Sequence, residues 1–539
     1  MKKNTGRSGL FFLLFVVGIA GCAMMTLNSG DGPGSAGPAD QGPSVVRNDG
    51  HVSAGKKVFR FETFGNEGFW TDALQLPQGI VAEKVTPMQA LELGLYVDVL
   101  KVPLDIALRV VFDLLRDSTL KSSKVMHDPD ITVRLINANS VIGVVAKNSD
   151  GKGHIDVRTG SKAGATCALC HTIVKSAIFQ LKDGGGIGFR DDGRANHVLN
   201  FGKIAATAAN SRALFPGLQL ALKANDGKSL GRAPQGLTEN STEAEVDAYL
   251  SNPAYYPVGM FDDSLDGNGN MMHNTPFFRQ DLAAPYGSEG AIAQLDNFNN
   301  LVYTALFDPT NITTPGGRAF IHKLGGAAGD EMVDSYVKVL EATGVRGYPY
   351  VRAALHPNPG SEDAPLGYRV DEQKLRDLNA YLVSLRAPKG HLKDAAAAMR
   401  GRKLFRTGNC TQCHNADQSR PVPAFIVPMK RIFPGDNPVV MAQREPPLNP
   451  IMDTPGNTFD DKMAVTNASL RGLERGIAMP LLLDLARKPV FLHDNSVPSL
   501  VQLFNPSRGP DAPHPFYLQD AGAREDMAEF LRALDDRKP

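Results

Sequence analysis

The chain is poor in cysteine, in tryptophan and in net charge. Of its 539 residues five are cysteine and one is tryptophan, and 57 Lys plus Arg stand against 57 Asp plus Glu. An odd, small number of cysteines in so long a chain excludes a disulfide framework. Balanced charge leaves no polybasic field, which excludes nucleic acid as a partner. The N-terminal apolar run, Leu10 to Ala20, has eleven residues, whereas a membrane-spanning helix needs about 20. A hydrophobic share of 42% with 21% charged residues excludes disordered, collagenous and coiled-coil classes. At roughly 150 residues per domain the length fits about three domains.

The first cysteine belongs to an export signal. Lys2, Lys3 and Arg7 precede the apolar run, which ends Ile19-Ala20-Gly21-Cys22. A positive start, a short apolar core and small residues make a secretory signal peptide over residues 1–21. The ending resembles the bacterial lipoprotein box, which implies acylation of Cys22 and a lipid membrane as partner; an ordinary signal cut near Ala23 or an uncleaved anchor are the other readings. Residues 22–50, rich in Gly, Ser, Pro and Asp, read as a flexible tether. The expected location is the periplasmic or cell-surface face of a bacterial membrane, with Ala23 favouring the outer one.

The other four cysteines form two copies of one pattern, Cys167-Ala-Leu-Cys170-His171 and Cys410-Thr-Gln-Cys413-His414. C-x-x-C-H attaches a c-type haem. Two thiols on one helical turn add to the two vinyl groups of a porphyrin, and the adjacent histidine, His171 or His414, becomes the proximal iron ligand. Chance would produce one such pattern in roughly a thousand chains of this composition. A zinc site needs no histidine after each pair, and a thioredoxin-like redox pair needs a βαβ context. Two haem c groups are therefore the expected cofactors, attached through Cys167, Cys170, Cys410 and Cys413.

The expected fold is mainly α: two cytochrome c-like haem domains with long loops, plus an N-terminal α+β region. Residues 51–150 form that region, 151–390 the first haem domain with insertions, and 391–539 the second. Helices are expected at Pro87–Leu95, Leu104–Arg116, 371–385, 395–405 and 523–536, from apolar residues at helical spacing. Residues 131–148 alternate apolar and polar side chains and are expected to form a hairpin. Each haem motif is expected on a first helix, closed by a second helix packed upon it.

GRKLFRTGNCTQCH (401–414), SLRGLERG (469–476) and FLHDNSVPSLVQLF (491–504) resemble the dihaem cytochrome c peroxidase superfamily, which includes the enzyme maturing methylamine dehydrogenase and the dihaem rubber oxygenases. The resemblance covers roughly residues 395–539. FRFETFGNEGFW (59–70), ATCALCHTIV (165–174) and GIGFRDDGRANHVLN (186–200) are similar to a less characterised group of exported dihaem cytochromes. The superfamily implies a tryptophan between the two motifs, but Trp70 precedes both. It also implies a methionine about fourteen residues after the histidine matching His493, a place that falls near Ser507.

An axial Met/His pair raises a haem's potential, His/His lowers it, and an open position admits oxygen or peroxide. Candidate sixth ligands are Met479 and His493 for the second haem, ahead of Met429, Met441, Met452 and Met463, and His197 for the first, ahead of Met260 and the Met271-Met272-His273 run. Asp266-Gly-Asn-Gly-Asn270 is a weak candidate for calcium, since it lacks the twelve-residue ligand pattern. The function expected is a lipid-anchored dihaem electron carrier serving a periplasmic donor or acceptor protein. The alternative is a dihaem oxidoreductase with one iron open to peroxide or oxygen. Cys410→Ala or His414→Ala is expected to leave one covalent haem per chain instead of two, counted from the pyridine haemochrome spectrum; retention of two contradicts the assignment.

Overall fold

The computed structural model describes residues 49–148, 154–422 apart from 228, 230, 263–264, 270, 288–289 and 291, then 426–428, and 476–537 apart from 493–494, 496, 510–511 and 513. Its longer helices are α1 Val52–Phe61, α2 Leu104–Arg116, α3 Pro129–Asn137, α4 Glu243–Ser251, α5 Pro315–Ala342, α6 Glu372–Ser384, α7 Ala395–Thr407 and α8 Ala521–Ala533. Five small sheets accompany them: β1 Val97–Asp98, β5 Gly186–Asp192 and β4 Thr172–Gln180 in that order, and the pairs β2 Val144–Lys147 with β3 Lys162–Ala165, β6 Met260–Asp262 with β7 Met271–His273, β8 Ala354–Leu355 with β9 Tyr368–Arg369, and β10 Ile426–Pro428 with β11 Gly476–Ala478. The protein is thus mainly helical with some β-structure. Among the described residues no helix is long and apolar enough to cross a membrane.

Two helix pairs share one construction. In α1 and α6, Gly55 lies so close to its partner that a Cβ there would sit 1.7 Å from the Asp377 carbonyl oxygen, and the Phe59 and Tyr381 rings meet edge-on at 5.5 Å. In α7 and α8, Gly401 would place a Cβ 2.0 Å from the Asp526 oxygen, and Phe405 and Phe530 meet at 5.4 Å. The sequences follow suit: Gly-Lys-Lys-Val-Phe-Arg from 55 matches Gly-Arg-Lys-Leu-Phe-Arg from 401, and Asp377-Leu-Asn-Ala-Tyr-Leu382 matches Asp526-Met-Ala-Glu-Phe-Leu531. Each pair backs one C-x-x-C-H motif. Cys167 lies in the core of the first with Phe59, Leu378 and Tyr381, and Cys410 packs on the core of the second with Phe405, Met527 and Phe530. Asp371, Asp394 and Asp520 cap α6, α7 and α8 by accepting first-turn N–H groups.

Residues before 150 are joined to those after it. Val97 of β1 pairs in parallel with Ile187 of β5, Val144 of β2 pairs with Ala165 of β3, and one apolar core runs from Met88 to Ile187. A buried ion pair, Arg190 Nε to Asp98 at 2.7 Å, lies on the same seam.

The hairpin expected over 131–148 is instead helix α3 followed by β2, whose strand partner is β3. Asp128 accepts the Asp130 N–H and Pro129 occupies the first turn, so the helix starts firmly. Ile131, Val133, Leu135 and Ile136 are then buried, and tertiary packing overrides the β-preference of branched residues. The first haem motif also departs from expectation: only one turn, Ala168–His171, is helical, and the β-branched run Thr172-Ile173-Val174 then enters β4 against Arg190–Asp192. The second motif is a 3₁₀ turn, Cys410–Gln412, after Asn409 in the left-handed region.

Gly401→Ala is expected to cost about 1–3 kcal/mol through overpacking. Gly325→Ala, where a new Cβ meets nothing within 4 Å, should stay within about 0.5 kcal/mol of the parent. Urea denaturation of the two variants checks both.

Candidate functional site

Both C-x-x-C-H motifs open into a single cavity of about 640 Å³, whose wall includes Cys167, Cys170, His171, Cys410, Cys413 and His414. An equivalent hydrogen bond closes each turn: the His171 N–H donates to the Cys167 carbonyl at 3.1 Å, and the His414 N–H to the Cys410 carbonyl at 2.9 Å. Four cysteines, none in a disulfide, are thus presented from two one-turn ledges. Burial pushes the Cys167 thiol up to about 11 and Cys170 up to about 12, so these are neutral thiols and not standing nucleophiles. The fully buried Tyr303 hydroxyl lies 3.3 Å from the Cys167 sulfur.

The histidine of the first motif is held from outside. His171 Nδ1 is 2.7 Å from the Thr275 carbonyl oxygen, to which it donates, and Phe277 stacks on the ring with centroids 3.5 Å apart. A donated Nδ1–H fixes the tautomer that leaves Nε2 free for a metal. Asp192 ties this motif to its helix pair, accepting from Thr172, Arg60 and Tyr381.

The second motif has a partner that sequence reasoning missed. The ring of His514 faces that of His414 with centroids 6.2 Å apart and planes inclined by 50°. Each ring keeps a buried Nδ1 without a hydrogen-bond partner, an expensive condition for a polar atom in an apolar wall. With metal–nitrogen bonds of about 2.0 Å and roughly 1.1 Å from nitrogen to ring centre, two imidazoles on one metal have centroids about 6 Å apart. The observed separation therefore fits a haem iron held between His414 and His514. His514 also has φ 57°, a left-handed conformation that costs a residue with a side chain some strain and clusters at functional sites. Its only sequence signal was a histidine between two prolines; it lies seven residues beyond Ser507, the place the family spacing marks.

Of the expected sixth ligands, Met479 lines the cavity and packs against Val422 and Cys413, at the cysteine edge of the second motif. His493, Met429, Met441, Met452, Met463 and Cys22, the expected lipidation residue, lie outside the described residues. His197 also lines the cavity, but His171 is ring-paired with Phe277 and not with it. Met260 and Met271 are fully buried in the core, whereas Met272 and His273 reach the wall. Trp70, though it precedes both motifs in sequence, lines the same cavity.

Where the two motif-bearing segments meet, Arg194 pairs with Asp484 at 2.9 Å and Lys488 donates to His273 Nε2 at 2.6 Å. The Val422 N–H donates to the Leu282 carbonyl at 2.8 Å on the same junction. In the loop read as a weak calcium candidate, the Gly267 carbonyl accepts from Leu220 and Gly269 lies against Gln219. Among the described residues no three His, Cys, Asp or Glu side chains converge as a metal site.

No protein-family profile matches the chain, and no curated protein matches it. Among solved structures, a chain of hydrazine synthase from Kuenenia stuttgartiensis, determined under xenon pressure, is similar over 51% of this chain and 76% of its own, at 15% identity and a TM-score of 0.29. That likeness is too loose to carry a fold or a chemistry, so the site stands on its own geometry.

Burial pushes His171, His197 and His414 down to about 4 and His514 to about 3. An unfolded histidine titrates near 6.5. Below that pH the unfolded chain binds protons that the folded chain refuses, so the stability present above pH 6.5 is lost as pH falls toward 4. The urea midpoint at pH 4.5 should lie clearly below that at pH 7; equal midpoints would contradict neutral burial of these rings.

Proposed function

We propose that the chain is an exported dihaem c-type cytochrome, lipid-anchored through Cys22, that transfers single electrons between periplasmic partners. The opposition of His414 and His514 across 6.2 Å, above the Cys410–Cys413 turn, is the observation that carries this reading. In it Cys167 and Cys170 hold the first haem with His171 as proximal ligand, and Cys410 and Cys413 hold the second between His414 and His514. A bound haem supplies the one-electron couple. The chain's own residues attach it, set its axial ligands and keep water from it.

On this proposal each haem unit is a glycine-crossed helix pair with one motif. The first unit starts at α1, and residues 62–166 are an insertion between its first helix and its motif. Residues 51–150 then belong to the first haem unit. Membership of the dihaem peroxidase superfamily, and an outer-membrane location, are parts of the same proposal.

The asymmetry of the two motifs supports a second reading. His171 stacks on Phe277, whereas His414 faces a second imidazole. A first haem with its sixth position open would bind oxygen or peroxide while the second stores an electron. Electron paramagnetic resonance with optical spectra separates the two. Two low-spin haems unchanged by peroxide fit the carrier, and a high-spin component that responds to peroxide fits the oxidoreductase. His514→Ala is expected to keep two haems per chain but turn one low-spin signal high-spin, and His514→Met to raise that haem's potential; unchanged spectra in both variants would remove His514 from the iron.

A further inference from the structure

Helix α2 carries more apolar surface than its core uses. At 100° per residue its apolar side chains span an arc of about 240°, from Ile106 through Val110, Leu114 and Val111 to Leu104, Leu115, Leu108 and Phe112. Ile106, Val110 and Val111 are buried. The remaining arc is not: Leu104 is 54% exposed, Phe112 52% and Leu115 54%, with Leu100 at 57% in the turn before the helix. Four of the eleven exposed large hydrophobic residues among those described therefore lie on one short stretch. A patch of this kind marks an interaction surface.

The surroundings of the patch point to its occupant. Between residues 99 and 127 there are five lysines and arginines against three aspartates in an otherwise balanced chain, and Arg134 takes up Asp105 at 2.8 Å. An apolar helix face on a stretch with a net positive charge of two suits a bilayer interface, where anionic headgroups attract the basic side chains. The patch sits on the apolar core of Met88 to Ile187, which contains no residue of either haem motif. An electron-transfer partner would have to reach a haem, so this face suits a membrane better.

The chain outside the structure adds a third argument. From Cys22 to Asn48 the tether has 27 residues, a reach of about 30 Å for a Gly/Ser-rich coil. It leads into α1, ten residues or about 15 Å long. The far end of α1 meets the patch's edge, with Lys101 Nζ 5.5 Å from the centre of the Phe61 ring. An anchor at Cys22 thus holds the face within reach of the bilayer.

We infer that the exposed face formed by Leu100, Leu104, Phe112 and Leu115, with half-buried Leu108 among them, docks on the anionic surface of the membrane to which the chain is tethered, and so fixes the orientation of the haem units against it. This rests on the lipid-anchor reading above, and the test separates the two. Mass spectrometry of the wild-type protein shows directly whether Cys22 is acylated, and its absence would refute the anchor alone. The docking face is tested on the mature chain from residue 22 carrying Cys22→Ser, mixed with vesicles of phosphatidylglycerol and phosphatidylethanolamine. That chain is expected to sediment with the vesicles, and Phe112→Asp with Leu115→Asp to lower its vesicle affinity at least tenfold. Leu355→Asp, at a leucine 69% exposed elsewhere, should leave it unchanged. Haem content and circular dichroism equal to the parent's show that the variants are folded. Vesicle binding that ignores Phe112 and Leu115, or no binding at all, overturns the proposal. Self-association lost in the double variant, without vesicle binding, also overturns it and assigns the face to a second copy of the chain.

Discussion

At Gly55 and at Gly401 one helix backbone rests on the carbonyl of another, and both C-x-x-C-H motifs are set against these two crossings. Only a residue without Cβ permits such an approach. The approach in turn brings Phe59 onto Tyr381 and Phe405 onto Phe530, and these aromatic seams form the walls on which Cys167 and Cys410 are set. A larger side chain at either crossing would move the wall and with it the thiols. The positions of four sulfur atoms around one cavity thus depend on two missing methyl groups.

The cavity's electrostatics follow from the same walls. Apolar packing strips water from the histidines, so His171, His414 and His514 are neutral at physiological pH, the form in which imidazole binds a metal. The two ends differ in how that neutrality is used. A backbone carbonyl and a stacked phenyl ring orient His171, whereas His414 meets a second neutral imidazole. One fold therefore offers two different histidine environments, and on the proposed function these would give two haems different potentials.

The second helix pair does not stand apart from the first haem motif. Arg194 to Asp484, Lys488 to His273 and Val422 to Leu282 bring the C-terminal residues onto the wall beside Cys170 and His171. Both C-x-x-C-H motifs therefore line one cavity, which two separate domains on a flexible linker would not ensure.

Residue spacing by itself located the two C-x-x-C-H motifs that the structure brings to one cavity. C-x-x-C-H needs only five neighbouring residues, and helices such as Leu104–Arg116 and Glu372–Ser384 follow from local periodicity, so these features were legible before folding. Tertiary structure decided what depends on distant partners: α3 in place of a hairpin because its branched side chains found a core, α1 as the mate of a helix more than 300 residues later, and Trp70 in the cavity despite its place ahead of both motifs. His514 is the clearest case. Its ring lies 6.2 Å from that of His414, a hundred residues away, and no local pattern encodes a distance across a cavity.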